Sequence, residues 1–121
     1  MSKLSPARKL ALDVLMEADR RGMYARDVLS SRASAKAIDQ RDSAFAARLA
    51  LGVAATQGIL DELLDQFLDK PKKVAPRVRM ALRILAFEML YLHTPGRVAV
   101  SQGVELVRSG AKSAAGLANA V

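Results

Sequence analysis

The stretch Ala81–Val107, ALRILAFEMLYLHTPGRVAVSQGVELV, reads as an apolar helix, a Thr-Pro-Gly stop and a second apolar helix with hardly a charge on it. In its first half Leu82, Leu85, Met89 and Leu92 recur at helical spacing, and Ala81, Ile84, Ala86, Phe87 and Leu90 widen that stripe almost all the way round. A helix apolar on most sides belongs at the centre of a bundle, because no surface orientation hides all of it. Pro95 and Gly96 end it, since proline has no N–H for the preceding turn and glycine is a weak helix former. The stretch therefore predicts a dry helical hairpin and, with it, an all-α fold.

Working outward, DKPKKVAP (69–76) is the clearest interruption, with Pro71 and Pro76 bracketing a lysine pair and the central helix starting near Pro76. Before it, Asp39 opens a long run that places Phe45, Leu49, Gly52, Val53 and Thr56 on one face and continues, bent, through Leu60, Leu63, Leu64, Phe67 and Leu68. Gly52 and Gly58 each cost about 1 kcal/mol against alanine inside a helix, which predicts close helix contact or a bend there. At the start of the chain Ser5-Pro6 is an N-cap followed by proline at the first helical position. Ala7, Leu10, Ala11, Val14, Leu15 and Ala18 then keep helical spacing until Gly22. Tyr24 to about Ser34 is a shorter amphipathic segment. Beyond the hairpin, a helix from about Val98 to Ser109 is followed by SAAGLANAV (113–121), which begins a last one. The pattern predicts about six to seven helices in a single domain, residues 1–121, with a core on Leu82, Leu85, Met89, Phe45, Leu49, Leu64 and Phe67.

Composition agrees. Hydrophobic residues make up 51% of the 121, but only five are aromatic and none is Trp. The surplus is Ala, Leu and Val rather than a strand-forming set. Cysteine is absent and His93 is the one histidine, so disulfides, thiolate zinc sites and a cysteine nucleophile are excluded and metal chemistry has little to work with. The N-terminal segment has no uncharged h-region, and no window approaches the roughly 20 uncharged residues of a membrane span. The expectation is a cytoplasmic protein with no membrane partner. Glu88 and Glu105 lie in apolar helices with no partner carboxylate or histidine at a catalytic spacing, and read as anchors of the bundle.

The net charge of +7 points toward polyanions, and its distribution gives the attraction a place. Lys70, Lys72, Lys73, Arg77, Arg79 and Arg83 follow one another without an acid, directly after Asp61, Glu62, Asp65 and Asp69. Arg79 and Arg83 are four apart and project together. Lys3, Arg8 and Lys9 form a second basic cluster at the start of the first helix. Against an RNA role stands a solvated loop for Lys72, Lys73, Arg77 and Arg79, and for Arg83 an internal pair with Glu88, Asp61 or Asp65.

Four stretches in order carry a resemblance. SPARKLALDVL (5–15) resembles the opening of the NusB-like RNA-binding domain, and QRDSAFAARLALGVAATQGILDELLDQFLDKP (40–71) its central helix pair. VRMALRILAFEMLYLHTP (78–95) resembles its core helix, and VAVSQGVELV (98–107) with GLANAV (116–121) its closing pair. The spacing is closer to the N-terminal domain of RsmB (Sun/Fmu) type 16S rRNA cytosine-5 methyltransferases than to free-standing NusB. That resemblance implies a non-catalytic NusB-like bundle that positions 16S rRNA for a methyltransferase domain in cis. S-adenosylmethionine would belong to that domain, and this chain would hold no cofactor. The RNA-contacting set it implies is Lys3, Arg8, Lys9, Lys72, Lys73, Arg77, Arg79 and Arg83. The alternatives are a free-standing antitermination factor binding boxA RNA with a small ribosomal protein, or a helical protein-interaction module. Ser101, Gln102 and Gly103 stand where the family commonly has Asn, Glu and Ala, and the N-terminal cluster is thinner than the arginine-rich start of NusB.

Overall fold

The computed structural model describes residues 3–35 and 38–120, with side chains over 3–32 and 38–109. Five α-helices and one 3₁₀ turn follow one another: α1 (Pro6–Arg21), α2 (Ala25–Ala35), α3 (Gln40–Asp65), the turn Pro71–Lys73, α4 (Pro76–Tyr91) and α5 (Gly96–Ala120). No strand occurs among the described residues. Helix α3 packs between α1 and α4, α4 packs on α5, and α2 closes the side formed by α1 and α3.

The starts of α1, α3 and α4 and the end of α1 are set by the residues that predicted them. Ser5 caps α1 by accepting from the Arg8 N–H at 3.3 Å, Pro6 takes the first helical position, and Gly22 ends the helix at φ 65°. The Asp39 carboxylate caps α3 by accepting from the Arg41 N–H at 2.7 Å. Pro76 opens α4, and its last turn leads through His93 at φ 55° into Thr94, whose N–H reaches back to the Glu88 carbonyl at 3.1 Å. The expected closing pair is instead one helix, α5. A lone Gly110 costs about 1 kcal/mol but, unlike proline, leaves the hydrogen-bond ladder intact, and the alanines after it favour continuation. Among the described residues the count is accordingly five α-helices rather than six to seven.

The core is built from α1 (Leu10, Leu12, Val14, Leu15), α3 (Leu49, Val53, Leu60) and α4 (Met80, Ile84, Phe87), with Leu106 from α5. Part of the expected core moves. Leu49 is fully buried and Phe45 and Leu64 pack against the cluster, but Leu82 and Leu85 are half-buried, Met89 is 43% exposed and Phe67 is 78% exposed. Periodicity could not choose between the two apolar stripes of α4. The stripe through Met80, Ile84 and Phe87 faces α1 and α3, while Leu82 and Leu85 face α5 across a groove of about 450 Å³. Phe67 lies beyond the end of α3.

Gly52 has the predicted packing reason: the ring of Phe87 sits where a Cβ would be, and it stacks on Tyr91 at 5.1 Å. Gly103 likewise admits Leu85. Helix α3 is also long and apolar enough, by length and composition, to cross a membrane. Its Ala46, Leu49, Ala50, Val53 and Leu60 are buried in the bundle instead.

Candidate nucleic-acid interface

Eight cations were singled out in the sequence, and the bundle sorts them by the carboxylates it brings to each. Arg8 is turned inward. Its Nε and NH2 donate to the two carboxylate oxygens of Glu88 at 2.7 and 2.6 Å, and its guanidinium lies 5.2 Å from the centre of the Phe45 ring. The side chains are 12% and 1% exposed. The Thr94 hydroxyl donates to the same carboxylate at 3.1 Å, so Glu88 receives three hydrogen bonds and ties the start of α1 to the end of α4. A buried carboxylate needs that saturation. Glu88 is an anchor, as the sequence suggested, but its partner is Arg8 and not Arg83.

Arg83 closes a second bidentate pair with Asp61 of α3 at 2.8 and 2.8 Å. Arg79 donates to Asp65 and to the Pro71 carbonyl, which fixes the 3₁₀ turn against α4. Both guanidiniums are largely buried. The internal pairing weighed for Arg83 therefore holds, and extends to Arg79. These three arginines leave the set of freely presented cations, because three acids, Glu88, Asp61 and Asp65, face them across helix contacts.

The other five lie differently. Lys9 donates to Asp13 one turn on at 2.7 Å, and Arg77 of α4 approaches the same carboxylate at 3.6 Å. Asp13 thus joins two basic clusters that are far apart in the sequence. Arg77 keeps a buried Nε with no protein acceptor. Lys72 and Lys73 are exposed on the 3₁₀ turn, Lys3 is exposed ahead of α1, and none of the three has an ion pair among the described residues. Ala75, the N-cap of α4, offers no side-chain cap, so the positive end of that helix opens between Lys73 and Arg77. Arg20, Arg32 and Arg77 line a recess of about 440 Å³ between α1 and α4. There Glu17 accepts from Arg32 at 2.9 and 2.8 Å and from Arg21 at 2.9 Å. Foremost Arg32, and then Arg21, hold its carboxyl below the usual carboxylate range against the opposing effect of burial.

Asp13 and Gln102 are the residues that sequence reasoning missed. The only local signal for Asp13 was its spacing of four from Lys9. Gln102 accepts from the Ser5 N–H at 2.8 Å and donates to the Lys3 carbonyl at 2.9 Å, holding the segment before α1 against α5. These bonds span 97 and 99 positions and leave no local trace.

The resulting surface is a row of unpaired or partly paired cations around an open helix N-terminus on a rigid bundle. Such an arrangement suits a polyphosphate backbone. Comparison with known proteins agrees with this architecture. The chain is 42% identical over 109 residues to a transcription antitermination protein NusB of Cutibacterium acnes, covering 88% of this chain and 41% of that protein. It is 36% identical over 115 residues to the transcription antitermination protein NusB of an Arthrobacter strain, covering 90% and 81%. It is 37% identical over 115 residues to ribosomal RNA small subunit methyltransferase B of Thermus thermophilus, covering 94% and 28%. The chain thus spans less than half of the first and third of these relatives. No solved structure matches it. The NusB family pattern matches residues 5–121, and with this helical architecture the chain belongs to the NusB family.

Proposed function

We propose that the chain is a non-catalytic RNA-binding module of the antitermination type, gripping RNA by its phosphates across the face that joins the start of α1 to the start of α4. The observation that carries this reading is the meeting of Lys9 and Arg77 at Asp13, beside the exposed Lys72 and Lys73. The named relatives at 42% and 36% identity favour antitermination, and the partners the family resemblance implies for that role are boxA-type RNA and a small ribosomal protein. A second reading, positioning of 16S rRNA for a methyltransferase domain in cis, is favoured by the Thermus thermophilus enzyme, which aligns with 94% of the chain. Both place the protein in the cytoplasm and leave any S-adenosylmethionine to another domain.

Cations that neutralise phosphates release condensed counterions, so affinity falls linearly with salt on logarithmic axes. Replacing Lys73 and Arg77 by Ala is expected to reduce that slope by roughly 0.7 to 0.9 for each phosphate no longer neutralised, similarly for RNAs of one shape. Titration of wild type and variant against a boxA oligonucleotide and a 16S rRNA hairpin at several salt concentrations also separates the two readings by which RNA binds tighter. Unchanged slopes on both RNAs would refute the interface.

A further inference from the structure

Next to the recess of Arg20, Arg32 and Arg77 the bundle holds a second one with a different lining. It opens where the end of α1, the start of α2 and the middle of α3 meet, and has a volume of about 370 Å³. Its buried lining is apolar, from Leu15, Ala18 and Met80. Its other side chains are polar or aromatic: Tyr24, 76% exposed, the exposed Asp19 and the half-buried Gln57. A concave apolar site with a few polar groups to fix orientation is what a small planar ligand requires.

Two observations say what fills it. Asp19 stands in the last turn of α1, where the negative end of the helix disfavours a carboxylate, and it has no ion pair among the described residues although Arg20 and Arg77 line the neighbouring recess with it. On a face that meets phosphates such an acid is a liability unless the ligand donates to it. The Gln57 amide, which can both donate and accept, likewise has no hydrogen bond among the described residues. The second observation is position. Asp19 belongs to both recesses, and Met80 of the one follows Arg77 of the other by a single turn of α4. The recess therefore borders the cations that would hold RNA by its phosphates.

We propose that this recess takes one unstacked guanine of the bound RNA, its ring against Tyr24, its N1–H and N2–H donating to the Asp19 carboxylate and its O6 accepting from the Gln57 amide. Single-stranded RNA is read in this manner, with splayed bases stacked on aromatic rings and hydrogen-bonded along their Watson–Crick edges. Guanine is the base the groups select. Among the four it alone carries two adjacent N–H donors on that edge, and a carboxylate accepts from both at once. Adenine, cytosine and uracil each offer such a carboxylate one donor beside an acceptor that it repels. The proposal rests on the RNA reading, and adds base selection to a face whose phosphate contacts carry none.

Fluorescence anisotropy of the 121-residue chain with labelled ten-nucleotide RNAs tests it, the probes being oligouridine and the same strand with one central guanosine or inosine. Wild type should bind the guanosine strand about 5- to 100-fold tighter than oligouridine, the range of one good bidentate contact to a base. Inosine lacks the N2 amino group and should lose most of that preference. Asp19→Asn, at an exposed position that tolerates the change, should abolish the preference while binding oligouridine at least as tightly as wild type, since one anion has left the face. Tyr24→Ala should weaken the guanosine strand about 5-fold or more through lost stacking. Salt-dependent binding that is equal for all three strands, or a guanosine preference that survives Asp19→Asn, would overturn the recess and leave the phosphate reading standing. No binding to any strand would overturn both, and guanosine monophosphate binding as tightly as the guanosine strand would overturn RNA as the source of the base.

Discussion

Replacing Arg8 by Ala should cost more than any other single cation, and it distinguishes an internal brace from an RNA-binding side chain. The Glu88 carboxylate, 1% exposed with Arg8 in place, is left with one of its three hydrogen bonds, that from Thr94. Breaking a buried pair from one side costs about 3 to 5 kcal/mol, because the remaining charge is stranded in a poor solvent. Removing the guanidinium from over Phe45 adds about 0.5 to 1 kcal/mol. A domain of this kind has about 5 to 15 kcal/mol in total, so the variant should be marginal. With a urea slope of about 1 to 3 kcal/mol/M, the midpoint should fall by well over 1 M. The double variant Arg8→Met/Glu88→Leu removes both charges and should recover most of the stability, since well-packed apolar replacements of buried pairs are often neutral or better. Urea unfolding followed by circular dichroism measures all of these, with Glu88→Leu completing the cycle. The folded double variant should bind RNA with the wild-type salt slope. An Arg8→Ala midpoint within about 0.3 M of wild type at unchanged slope, which is under about 1 kcal/mol, would refute the anchoring argument.

Two further outcomes follow from the packing and the charges. Gly52→Ala drives a Cβ into the buried Phe87 ring and should destabilise by about 1 to 3 kcal/mol, whereas Gly103→Ala meets only the far end of Leu85 beside an open groove and should cost less, as paired thermal melts would register. Glu17, whose carboxyl is held low by Arg32 and Arg21, contributes stability that is present above its unfolded-state value and is lost as pH falls through the folded one. Glu17→Gln should therefore be less stable than wild type at neutral pH and converge with it in acid, and a difference that stays constant from pH 7 to pH 3 would contradict the assignment.

The helix starts, and the end of α1, were legible in the sequence because they rest on near neighbours. Ser5-Pro6, Gly22, Asp39 and Pro76 act within a turn or two of the chain and mark the boundaries they predicted, whereas α4 ends at Tyr91, ahead of Pro95-Gly96, and Gly96 instead opens α5. The sequence also located the basic stretch from Lys70 to Arg83 and identified Glu88 as an anchor, since a lone acid in an apolar helix must be satisfied somewhere. Which stripe of α4 is core came from packing, for both stripes are apolar and the choice depends on where α1, α3 and α5 lie. Packing also decided which cations are free. Arg8, Arg79 and Arg83 carry the same charge as Arg77, but acids 80, 14 and 22 positions away in the chain face them, while Lys72 and Lys73 face none among the described residues. A charge pattern records what a segment carries, and packing determines what it is left to present.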